Sequence, residues 1–551
     1  MTIAHQSAIF ELSDEYITQS AKLSPMTATF LGIPGYDHLL DDFSLEGSKR
    51  KPALIRETLR KLADTKPQDE NDRVAAAVMQ ERLTSELALY DSYENQMLCA
   101  VIYSPAIAIR QVFEMMPHES AEEIKNITLR FNAVRSAHDS WRSCLGDLAK
   151  IGKCVSKRQV IGVADQLKAF SDGAYSGIAK RIDLDNKYPE LHTAAASADK
   201  SAGEMGEWLR TNYFSEANDK DGVGAERYSA WARHYTGADL DLRETYEWGL
   251  KDLARINERM WKVALRIKPD ATSLQEVANY LDNDKKYLVK GSDTLLEKLK
   301  EFTEAATKQM DGVYFDIDDR IKFCDARLAP EGSAAAPYYM PPSEDLSRSG
   351  STWFPTLGKD EFNWWRIPTM WYHEAVPGHH LQVATVTIEK DRLTRFQRTE
   401  AWTSGYGEGW ALYAERLMDE LGAFEDPGFE MGYLSAQAWR AVRVVVDIGM
   451  HLGYKDENGK VWTAESASDL LVSHALLERE FAKSEIDRYL GLAGQAISYK
   501  VGERVWMNSR EEATKRLGAN FSLKKFHAYA LRLGPMGLDP FEVEMSRWDG
   551  N

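Results

Sequence analysis

Three of the chain's 12 histidines fall within eight residues, in His373-Glu374-Ala375-Val376-Pro377-Gly378-His379-His380. A histidine followed at once by a glutamate, with a further histidine close behind, is how a helix holds zinc and activates water for hydrolysis. The usual spacing sets the two histidines four apart on one helical face. Here the fourth position is Pro377, so the next histidines come six and seven residues on. Proline lacks a backbone donor, and its ring clashes with the carbonyl four residues back, that of His373. Gly378 adds backbone freedom beside it. The pattern predicts a helix from about Met370, capped by Thr369, that bulges or breaks between Ala375 and Gly378. Two extra residues in a bulge would return His379 to the face of His373. His380 shares that face on an unbroken helix, but about 10 Å farther along the axis. That distance favours His379 as the second ligand, with His380 the other candidate.

A zinc site needs a third protein ligand and keeps a fourth position for water. Glu408 is the candidate, in Gly405-Tyr406-Gly407-Glu408-Gly409-Trp410, where glycines leave room for a ligand or another backbone. Glu415, seven residues on and on the same face, is the fallback; a carboxylate that merely offsets a helix dipole is the plainer reading of Glu408. Glu374 cannot easily bind the metal beside His373. Its expected role is general base, taking a proton from the zinc-activated water and handing it to the leaving amine. Trp364, Trp365, Trp371 and Tyr372 around it predict burial rather than a solvated helix.

Three further groups carry candidate roles. Arg440, Asp447 and His451 fall seven and four apart on one face of a Val-rich helix. Such a stripe could orient a ligand, with Arg440 or Arg443 gripping a peptide's terminal carboxylate; a purely structural network fits it equally. Tyr499, among small neighbours in Gly494–Gly502, could donate to a tetrahedral oxyanion, although most tyrosines are simply packed. Tyr339 counts among the residues expected to meet substrate.

The elements that must position these groups are mostly helical. Arg56–Leu62, Arg73–Leu89, Ala121–Leu148, Leu242–Ile267 and Thr294–Asp311 space apolar residues three and four apart, and alternating strand patterns are scarce. Leu328 to Pro342 packs Gly332, Ser333, four alanines and four prolines around Tyr338 and Tyr339, which breaks any helix. Ser343 to Pro355 suggests one or two short strands or an extended segment. A short edge strand there could pair with an extended peptide, though an ordinary loop fits too. One mainly helical domain is expected over 1–551, in two halves, 1–330 and 331–551, around a cleft, with a small β element before the zinc helix.

The chain has 551 residues, 44% apolar and 28% charged, with 68 basic against 85 acidic side chains and a net charge of -17. Such a surface repels nucleic acid and anionic membranes. Cys99, Cys144, Cys154 and Cys324 show no metal-binding spacing and read as buried thiols. Met1 to Leu23 shows no basic start followed by a long apolar run, so the expectation is cytoplasmic, with no membrane span.

These residues together resemble the bacterial domain of unknown function 885 family, related to zinc peptidases of the gluzincin type. The resemblance runs from Pro25, Ala28, Thr29, Leu31, Gly32, Tyr36, Asp37, Asp42 and Ser44 through His373–Gln382 and Gly405–Tyr413. It continues in Val445–His451, Gly494–Lys500, Phe526–His527 and Trp548. It implies a zincin-like helical fold similar to the carboxypeptidase Taq and thimet oligopeptidase families, with a deep channel. It also implies one zinc per chain, with His379 following its glycine as ligand and Glu408 on the next helix. Tyr499 or His380 would steady the oxyanion. The expected function is a zinc metallopeptidase acting on short peptides in carboxypeptidase or oligopeptidase mode. The alternatives are a non-catalytic metal- or peptide-binding protein on the same scaffold and a hydrolase of non-peptide amides.

Overall fold

The computed structural model describes residues 7–330, 336–343 and 345–551. Helix dominates them, and the periodic segments fold as their spacing predicts: Arg50–Asp64, Glu70–Asp91, Ala121–Ala149, Leu242–Ile267 and Ser292–Met310 are all helices. Gly332 and Ser333, part of the expected break, lie outside the described residues. The five strands among the described residues are short. β1 (Leu288–Lys290) pairs antiparallel with β5 (Glu361–Asn363), just ahead of the helix that carries His373. β2 (Cys324–Leu328) runs parallel to β4 (Gly350–Phe354), and β3 (Tyr338–Met340) pairs antiparallel with the other side of β4. The second edge of β3 has no strand partner among the described residues.

The expected division near residue 330 is not where the packing divides the chain. The N-terminal helices Ala8–Leu23, Arg50–Asp64 and Glu70–Asp91 share one core with Leu242–Ile267 and with the helices after residue 367. The separate apolar core belongs to a bundle built from Ala121–Ala149, Lys157–Ser171, Ala174–Ile182 and Pro189–Trp208. Periodicity marks which face of a helix is buried but not which neighbour buries it, so this partition was out of its reach. The four cysteines are buried and unpaired. No helix among the described residues is long and apolar enough to cross a membrane.

The principal core turns on two helix pairs: Leu242–Ile267 lies against Pro427–Leu452, and Ser404–Glu420 against Ser498–Leu517. The second pair crosses at unusually short range because glycine meets glycine there. A Cβ added to Gly409 would lie 2.5 Å from Gly502 Cα, and one added to Gly502 would lie 2.1 Å from the Gly405 carbonyl oxygen. Both obstacles are backbone and cannot swing aside. Alanine is intrinsically the better helix former by about 1 kcal/mol, yet overpacking of this kind costs about 1–3 kcal/mol. Gly409→Ala is therefore expected to lower the thermal midpoint, read by circular dichroism; an unchanged or raised midpoint would mean the helices part freely.

Candidate metal centre

The predicted helix begins earlier than Thr369. A 3₁₀ turn, Trp364–Arg366, leads into helix Ile367–Glu374 with Pro368 in its first turn. Thr369 is therefore inside the helix, and its hydroxyl donates to Glu415 instead of capping. Trp364, Trp365, Trp371 and Tyr372 are all buried, as their clustering predicts. The helix stops at Glu374, and a new one, His379–Ile388, starts after Gly378. Between them the Gly378 amide donates to the Tyr372 carbonyl (3.0 Å) and the His380 amide to the Ala375 carbonyl (3.1 Å). Any side chain at 378 would collide with the helix end, because a Cβ there lies 1.9 Å from the His373 carbonyl oxygen. Trp410 closes the turn from the neighbouring helix, its indole N–H shared by the Pro377 and Gly378 carbonyls at 3.0 Å each.

This interruption brings the rings of His373 and His379 to 4.9 Å between centroids, nearly perpendicular at 89°. Helix Ser404–Glu420, capped by Thr403, presents Glu408 between them. Its Oε2 lies 3.1 Å from His373 Nε2 and 3.6 Å from His379 Nε2. One ligand atom from each of the three residues falls within 4.8 Å of the others. Two imidazole nitrogens and one carboxylate oxygen are a donor set that suits zinc, so these residues fit the ion their spacing suggests. Glu415, the fallback ligand, takes a different post: its Oε1 accepts from His373 Nδ1 at 2.8 Å, on the ring nitrogen facing away from Glu408. Such a carboxylate fixes the ring's orientation and raises its basicity toward a metal. His379 Nδ1 is buried without a hydrogen-bond partner.

The electrostatics follow from that packing. Burial disfavours charge on His373, but hydrogen bonds to Glu408 and Glu415 outweigh it and raise the ring to about 10. Burial likewise opposes ionisation of Glu408, yet the two histidines hold it well below the usual carboxylate range. Glu374 has no such hydrogen bonds to relieve it, and burial pushes its carboxyl up.

The three donors and Glu374 line a cleft of about 780 Å³. Its walls come from three parts of the fold. Val101, Ile102 and Gln166 stand on the side of the separate bundle, Tyr338 and Tyr339 on β3, and Trp402, Trp439, Arg440, Arg443, Arg488 and Tyr499 on the principal core. Tyr499 sits in the first turn of helix Ser498–Leu517, with the Arg443 guanidinium 4.5 Å over its ring.

Two sequence candidates do not reach this cleft. His380 is 1% exposed and turned the other way. Its Nε2 lies 2.7 Å from the Ile321 carbonyl, which can only accept, so its Nδ1 receives the Tyr339 hydroxyl at 3.0 Å. His380 thus braces Tyr339 from behind and is neither ligand nor oxyanion donor. The reason is the helix break, which rotates residue 379, not 380, toward His373. His451 is equally enclosed: it receives the Val223 amide at 3.3 Å and donates to the Tyr489 carbonyl at 3.1 Å. Its companion Asp447 accepts from the Tyr228 hydroxyl at 2.7 Å and the Gly494 amide at 3.0 Å. The expected stripe therefore splits, with Arg440 facing the cleft while Asp447 and His451 tie helices together. Sequence reading missed the roles of Trp410 and of Glu485 and Arg488. The last two lie on helix Arg479–Gly491, whose mix of charges shows no special spacing.

Two solved structures share the fold. A "putative lipoprotein" from Colwellia psychrerythraea superposes with a TM-score of 0.85 at 22% identity, covering 98% of each chain. A "putative lipoprotein of unknown function" from Shewanella oneidensis gives 0.78 at 18% identity, over 98% of this chain and 100% of its own. No curated protein sequence matches. The model of a bacterial protein family of unknown function, DUF885, matches residues 25–545, and the chain belongs to that family.

Proposed function

We propose that this protein is a zinc-dependent peptidase acting on short peptides. The observation that carries the reading is the convergence of His373, His379 and Glu408 on one point of a cleft, with Glu374 beside them. Zinc bound there would supply a Lewis acid for the scissile carbonyl and bring the pKa of a water to about 7. Glu374 takes one proton from the attacking water and delivers it to the departing amine nitrogen as the C–N bond breaks. Tyr499 donates its hydroxyl to the carbonyl oxygen as negative charge develops there. The open edge of β3 offers backbone groups to an extended substrate. Arg440 or Arg443 holds the terminal carboxylate, which favours the carboxypeptidase mode.

A second reading, a binding protein without turnover, draws on one feature. The Nδ1 of His379 has no acceptor to brace the ring, and bracing partners strengthen metal binding about 10- to 100-fold. Against it stands Glu374, which a pure binder does not need.

Elemental mass spectrometry of the purified protein should find about one zinc per chain. His379→Ala and Glu408→Ala should lose it, while His380→Ala should retain it. Metal kept by all three variants would refute the donor set. Glu374→Gln should keep zinc and lower kcat on a peptide library about 10²–10⁴-fold; turnover equal to wild type would exclude the mechanism. Tyr499→Phe should lower kcat about 10²-fold or more with little change in KM.

A further inference from the structure

The charges lining the cleft are distributed unevenly. At the metal end, Glu374 and Glu408 together offset a divalent ion. The same cleft is lined by three guanidiniums, Arg440, Arg443 and Arg488, and by one further carboxylate, Glu485. Glu485 is shared between two of these arginines, at 2.8 Å from Arg443 and 3.4 Å from Arg488. Arg440 makes no ion pair among the described residues, although the charges of Glu374 and Glu415 reach it; its Nη1 meets the Ala436 carbonyl at 3.3 Å. Arg443 spends a further donor on the Tyr489 hydroxyl at 2.8 Å, and Arg488 one on the Gln495 side chain at 2.9 Å.

Each of the three keeps a buried N–H without a partner: Nε of Arg440, Nη1 of Arg443 and Nε of Arg488. Arg440 and Arg443 are only 6% and 2% exposed. Unmatched guanidinium donors withdrawn from water carry a desolvation cost that a ligand anion relieves. Counting Glu485 against the three arginines leaves two positive charges. A peptide's terminal carboxylate answers one of them.

We infer that the preferred substrate carries a second carboxylate beside its terminal one: a peptide ending in glutamate or aspartate. Arg440, the arginine least committed to the protein, takes one carboxylate. The pair Arg443 and Arg488, held apart by Glu485, takes the other. Trp439 lies under both Arg440 (4.7 Å) and Arg443 (4.4 Å) and spaces them as a rigid plate. Bidentate contacts from planar guanidiniums would make the choice steep, because a neutral isostere leaves the same donors unmatched.

This inference rests on the peptidase reading of the cleft, and two measurements separate them. The zinc-loaded enzyme would be assayed on N-blocked dipeptides ending in Glu, Asp, Gln, Leu or Lys. Glu or Asp should exceed Gln in kcat/KM by about 10- to 100-fold, and Arg488→Gln should erase that gap while Arg488→Lys retains part of it. Equal cleavage of Glu- and Gln-ending substrates would overturn the acidic preference and leave the peptidase standing. If no dipeptide is cleaved, the peptidase reading fails, and calorimetry with N-acetylglutamate against N-acetylglutamine still judges the subsite. Binding of N-acetylglutamate about 10-fold tighter supports the inference, and equal binding overturns it.

Discussion

Two histidines six residues apart can face one point only if the helix between them is interrupted, and the rest of the candidate centre is built around that interruption. Stopping a helix at Glu374 leaves backbone groups that must find other partners. The turn supplies some of them internally, and Trp410 adds a donor to the Pro377 and Gly378 carbonyls within it. The clamp comes from the same helix that presents Glu408 and Glu415 to opposite nitrogens of His373. One helix therefore sets the turn, offers the third candidate ligand and orients the first. That helix is located in turn by its glycine crossing with Ser498–Leu517, whose first turn bears Tyr499. The proposed ligands, base and oxyanion donor are thus connected through a few backbone contacts of very short range.

Much of this could be read before any coordinates. The His-Glu pair, the proline at the fourth position and the following glycine forced a break and favoured His379, because their constraints act locally on the backbone. The dense glycines around Glu408 signalled close approach, and the approach is there. What was hidden depends on long-range packing. His380 and His451 have the chemistry of functional residues, yet their ring nitrogens are consumed by the Ile321, Tyr489 and Val223 backbones, partners remote in the chain. Arg488 and Glu485 face the cleft from a helix whose charges look ordinary. The expected halves divided at residue 330, whereas the first helices fold into the core of the last.

The structural relatives share fold over nearly their whole lengths at 22% and 18% identity. At such divergence the scaffold is evidently compatible with wide sequence change. In this chain Gly378, Gly409 and Gly502 leave no room for a side chain.

The bundle with its own core has a different standing. It touches the cleft only through Val101, Ile102 and Gln166, and none of these contacts the three metal-facing side chains through a hydrogen bond or ion pair among the described residues. Substitutions on that wall would change the shape of the cleft without disturbing the donors. The cleft thus has two unlike walls: one tied by hydrogen bonds to the three candidate donors, and one that meets the cleft without touching them.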